Sequence, residues 1–123
     1  MKKRAEKEMD FEINFFRNVV RKSPNYIDAL IPLAEAYTQK GMIHEGLEID
    51  QKLSKLLSDD PIVFYNLACS QSLLGQKKEA IKSLKKALAL GYDDMEHLLR
   101  DKDLENLYDL SSFQSLIKKE SLK

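Results

Sequence analysis

The chain of 123 residues has no tryptophan, a single cysteine, four glycines and three prolines. Cys69 therefore has no partner for an internal disulfide, which fits a reducing compartment. So few helix breakers, beside abundant Leu, Lys, Glu and Ala, favour helix throughout. Excess charge is absent too: 20 Lys and Arg face 20 Asp and Glu, so no global field points to nucleic acid or an anionic membrane. No apolar run approaches the ~18 residues of a membrane helix. The start, Met1-Lys2-Lys3-Arg4-Ala5-Glu6-Lys7-Glu8, is not followed by an apolar stretch of signal-peptide length. These absences lead to the expectation of a soluble, cytoplasmic protein with no membrane partner. No phosphate-binding glycine loop, zinc-type Cys/His cluster or nucleophile motif occurs, so catalysis, cofactor, metal and small-molecule substrate are not expected.

What is present is a repeat. Displacing the sequence by 34 residues sets Leu33-Ala34 on Leu67-Ala68 and Lys40-Gly41 on Leu74-Gly75. Glu45-Gly46-Leu47 then falls on Glu79-Ala80-Ile81, and Lys52-Leu53 on Lys86-Ala87. Leu30, Leu33, Ala34 and Tyr37 share one helix face; Phe64, Leu67, Ala68 and Gln71 repeat the spacing. Gly41 and Gly75 stand where each such helix must stop in a positive-φ residue. A second helix follows, with Ile43, Leu47, Leu53 and Leu57 in one unit and Ile81, Leu84, Ala87 and Leu88 in the next. Gly46 inside a helix costs about 1 kcal/mol relative to alanine, which makes sense where two helices cross closely.

Large–x2–large-small–x2–Tyr, a turn glycine, then small–x3–large at a 34-residue period resembles the tetratricopeptide repeat. The resemblance implies an all-α fold of right-handed superhelical helix-hairpin repeats with a capping helix at each end. It implies one domain over 1–123: an N-terminal helix or half repeat at 5–26, repeats at 27–60 and 61–94, and a C-terminal cap at 95–123. The run Asp101-Lys102-Asp103-Leu104, Leu107, then Phe113, Leu116 and Ile117 resembles a segment that often follows the last repeat in bacterial members. A closing helix is expected at about 112–120, with Ser111 or Ser112 as N-cap. Three departures stand out. Asp50 occupies a usual aromatic position, and Pro61 comes three residues late. Pro32 lies inside the first helix of repeat one, which calls for a late start or a bend at about Asp28–Pro32.

In this family the first helix of each unit lines a concave groove, so the resemblance implies a protein or peptide as partner. The stripe beside the Leu-Ala packing face carries Asp28, Ile31, Glu35 and Thr38 in repeat one. In repeat two it carries Ile62, Tyr65, Cys69 and Ser72. Tyr65 is the expected anchor, since tyrosine is enriched in interface hot spots; packing of Tyr65 and Ile62 on the N-terminal helix or repeat one is the competing reading. Cys69 reads as a small packing residue rather than a redox sensor. Asp28 and Glu35 repel a peptide carboxylate, so a mixed or basic peptide with an apolar side chain suits the stripe better than a chaperone C-terminus.

Other residue groups have plainer readings. Asp59-Asp60 and Asp93-Asp94 read as acids at helix N-termini. His44 and Glu48 have metal-ligand spacing but read as solvated surface, and His97 as exposed or capping. Residues 71–90 hold five lysines against Glu79, net +4; residues 91–110 hold seven acids against two bases, net −5. The lysine stripe, Lys77 to Lys86, leaves binding to an anionic surface or nucleic acid as an alternative, although no aromatic is interleaved for base stacking. The two opposite charges leave weak self-association as another.

Overall fold

The computed structural model describes residues 4–123, with side chains from Glu6 onward. The helices are α1 (Arg4–Lys22), α2 (Ile27–Lys40), α3 (Ile43–Leu56), α4 (Pro61–Leu73), α5 (Lys77–Ala89), α6 (Met95–Arg100) and α7 (Ser111–Ser121). A 3-10 helix, Lys102–Leu107, separates α6 from α7, and no strand occurs among the described residues. The chain divides into two compact units, Met1–Ser58 and Asp59–Lys123.

In the first unit α1 packs on α2, and α2 on α3. Ile13, Leu33, Ala36 and Tyr37 are buried together, with Phe16, Val20, Met42 and Ile49 packed around them. Arg17 Nε donates to the Tyr37 hydroxyl at 3.1 Å and its guanidinium lies over the same ring. Lys40 pairs with Asp10 across α1 and α2. Gly41 ends α2 at φ 86°, which lets Met42 N–H return to the Tyr37 carbonyl at 2.8 Å. Gly46 marks the close crossing expected of it: a Cβ there would stand 3.0 Å from Thr38 Oγ1 on α2.

The second unit repeats these devices. Asp60 accepts from Ile62 N–H at 2.9 Å and Val63 N–H at 3.4 Å, and Pro61 occupies the first turn, where its missing N–H costs nothing. Asp94 caps α6 through His97 N–H at 3.1 Å. Ala68, Ala80, Leu84 and Ala87 are fully buried where α4 meets α5. At the place of Tyr37 the second unit has Gln71, whose Oε1 accepts from the buried Ser83 hydroxyl at 2.6 Å. Gly75, at φ 75°, ends the turn of α4 just as Gly41 ends α2.

One of two alternatives at Pro32 is excluded, and one expectation at α7 is corrected. Helix α2 begins at Ile27 and runs through Pro32, so there is no late start. Pro32 has no N–H to give to the Asp28 carbonyl, and Asp28 is exposed, at the solvent side of the helix. Helix α7 begins at Ser111 with Leu110 as N-cap and no side-chain cap, so neither Ser111 nor Ser112 serves as the cap. The apolar Leu110 is instead drawn onto the core of the second unit.

Candidate partner-binding surface

The two stripes read from the sequence have different fates. On α2, Asp28, Ile31 and Glu35 are exposed, with Ile31 at 37%. None of the three makes an ion pair among the described residues. Thr38 belongs elsewhere: its hydroxyl donates back to the Ala34 carbonyl at 3.0 Å and fills the space opposite Gly46. Of the four stripe residues on α4 only Ile62 is exposed, at 54%. Tyr65, Cys69 and Ser72 are 4%, 7% and 0% exposed.

What covers them is the C-terminal part of the same unit, not the N-terminal helix. Tyr92 lies flat against Tyr65, with ring centroids 4.3 Å apart and planes 3° from parallel. Gly91 sets up that stack, because its turn carries Tyr92 N–H to the Ala87 carbonyl at 2.9 Å. The 3-10 helix packs along α4, and Asn106 Nδ2 donates to the Ser72 carbonyl at 2.8 Å. Leu98, Leu104 and Leu107, all fully buried, join the core of α4 and α5.

Asp101 holds this cover in place. Its Oδ2 accepts from the Tyr65 hydroxyl at 2.7 Å and the Cys69 thiol at 3.7 Å, and His97 Nε2 lies 3.2 Å away. Its Oδ1 accepts from Asp103 N–H at 3.0 Å, capping the 3-10 helix. The Tyr108 hydroxyl reaches the Asp101 carbonyl at 2.7 Å. Burial, reinforced by the bond to Asp101, raises the Tyr65 pKa well above the ordinary phenol range. Burial and the charges of Asp101 and Asp103 likewise raise that of Cys69, so its thiol stays protonated. Burial first, then the Asp101 charge, raises Asp103. Ligand-type atoms of Cys69, Asp101 and Asp103 lie within 4.8 Å of one another. Both Asp101 oxygens already take protein donors, so the group reads as a hydrogen-bonded clasp between α4 and the 3-10 helix. Buried and against Asp101, the Cys69 thiol packs as part of this clasp.

An exposed aromatic pair was not legible in the spacing. Phe11 and Phe15, one turn apart on α1, are 72% and 53% exposed and stacked on each other. Phe16 and Val20 of the same helix pack into the core, and Phe16 meets the Phe15 ring edge-on. Spacing alone hid the pair because α1 carries apolar residues in two stripes.

Two helix pairs with the same glycine-closed turn make an all-α helix-hairpin repeat. Residues 62–90 match the family model described as tetratricopeptide repeat. Residues 62–90 thus form a tetratricopeptide repeat, and the all-α helix hairpins around them are consistent with that fold. A chloroplastic protein from Arabidopsis thaliana is 31% identical over 88 residues, which cover 67% of this chain and 25% of that protein. The chain thus spans about a quarter of the length of that relative. Tetratricopeptide repeats generally mediate protein–protein interaction, and no helix of the described residues is long and apolar enough to cross a membrane.

Proposed function

We propose that this chain is a non-catalytic interaction module that binds a partner protein through the exposed face of α2. The observation that carries the reading is the stripe of Asp28, Ile31 and Glu35: an apolar side chain left in solvent between two carboxylates without ion-pair partners among the described residues. Such a stripe suits a peptide of mixed or basic charge with one apolar side chain. The aliphatic contact supplies affinity, and the carboxylates select against acidic competitors. Tyr65, Cys69 and Ser72 drop out of this surface because the chain's own C-terminal segment covers them. The single Cys69 has no partner for an internal disulfide, which suits a reducing compartment, and we place the protein in the cytoplasm on that ground.

The test is affinity capture from the native host by the wild type, by Ile31→Ser/Glu35→Lys and by Ile62→Ser. All three positions are exposed, so folding is unaffected, which circular dichroism checks. The reading expects partners held by the wild type to be lost with the α2 variant. Partners retained by that variant would show that the α2 stripe is not the binding surface.

A further inference from the structure

The face of the second unit formed by α4 and α5 has a chemistry opposite to that of α2. Lys77, Lys78, Lys82, Lys85 and Lys86 are all exposed, and none makes an ion pair among the described residues. Between them lies a recess of about 440 Å³, lined by Phe64, Lys82, Ser83, Lys85, Lys86 and Ala89. Its floor is apolar: the half-buried Phe64 ring and the exposed methyl of Ala89. Lysine stems add methylene walls while the ammonium groups stay in water. The Lys86 ammonium sits 5.9 Å from the Phe64 ring centroid. The volume lies in the ~300–1,000 Å³ range of ligand clefts and accommodates a large side chain.

We propose that this recess is a docking site for an acidic peptide segment of a partner protein, which inserts one large apolar side chain between Lys82, Lys85 and Lys86. Charge complementarity selects the acidic segment, since five lysines crowd within three turns of helix with Glu79 as the one acid among them. The apolar floor selects the inserted side chain. A nucleic-acid backbone offers no such group, and Phe64, half-buried and alone, makes no stacking platform for successive bases. A bilayer is entered by protruding apolar side chains, whereas the apolar surface here is recessed. The proposal rests on the protein-binding reading of the chain but is independent of the α2 stripe.

The test uses fluorescence anisotropy with a fluorescein-labelled synthetic peptide holding one phenylalanine between glutamates. Binding is expected and weakens as salt rises. Replacing the peptide phenylalanine by serine, or its glutamates by lysine, abolishes it. Lys82→Glu/Lys86→Glu weakens binding about tenfold or more through lost charge pairing. Ala89→Phe, which fills the recess from an exposed position, does the same without touching the lysines. Ile31→Ser/Glu35→Lys leaves this binding unchanged, so failure of the α2 reading and failure of this one are separable. No binding, binding indifferent to Ala89→Phe, or tighter binding to oligouridine RNA or to phosphatidylcholine–phosphatidylserine vesicles overturns the proposal.

Discussion

Replacing Asp101 by alanine removes one carboxylate and strands several donors at once. The Tyr65 hydroxyl, on a residue 4% exposed, loses the acceptor at 2.7 Å. An unmet buried hydroxyl costs about 1–3 kcal/mol. Asp103 N–H loses its cap, worth about 1 kcal/mol at a helix start. Relief of the repulsion between Asp101 and Asp103 works in the opposite direction, but water screens both carboxylates in part, so it stays small. The net expectation is a loss of about 2–4 kcal/mol. Tyr65→Phe removes the donor instead. It keeps the ring stacked on Tyr92 and leaves Asp101 its other partners, so it costs about 0.5–1.5 kcal/mol. If the two groups stabilise the fold through each other, the double variant recovers about 1 kcal/mol of the summed single costs. Urea titrations followed by circular dichroism and by tyrosine fluorescence read all four corners of this cycle. An Asp101→Ala cost below about 0.5 kcal/mol, or strictly additive costs, refutes the clasp.

Two further outcomes follow from single residues. The pKa of Asp103 is raised in the folded state from 3.8, so its contribution to stability is fully present below that value and is lost as pH rises through the elevated folded pKa. Asp103→Asn therefore gains on the wild type as pH is raised from about 4 to 7, and a constant difference in urea midpoint over that range contradicts the assignment. Gly75 holds φ 75° with nothing near its Cβ position, so Gly75→Ala meets backbone strain alone. It costs about 1–2 kcal/mol by thermal or urea unfolding, and a neutral result shows that the turn accepts another conformation.

Most of the helical framework is legible in the sequence, because its causes are local. The positive-φ glycines at 41 and 75, the acids before α4 and α6, and the small residues at the crossings each act on neighbours a few residues away. The candidate surface is only half legible. The same spacing that leaves Ile31 and Glu35 in solvent buries Tyr65 and Cys69, because only α4 is covered by Tyr92 and the 3-10 helix. That cover depends on Asp101 reaching a residue 36 positions away, a contact that helical periodicity does not encode. A trace of it is present in composition: between Val63 and Ser72 helix α4 has no charged residue, so it lacks the polar face of a solvent-lining helix. The lysine stripe is visible as charge, whereas its apolar floor at Phe64 emerges only once α4 and α5 are packed.

The central structural claim is that the chain's own C-terminal segment closes the face of α4 that the repeat pattern offers to a partner. Cys69 reports on it directly, being the single cysteine, 7% exposed and lying against Asp101 beneath the 3-10 helix. A thiol-reactive disulfide reagent should label the native protein orders of magnitude more slowly than the urea-unfolded chain, with Asp101→Ala in between, because labelling must wait for local opening. Native labelling as fast as that of the unfolded chain would mean that the face is open, and would return Tyr65 and Cys69 to the binding surface.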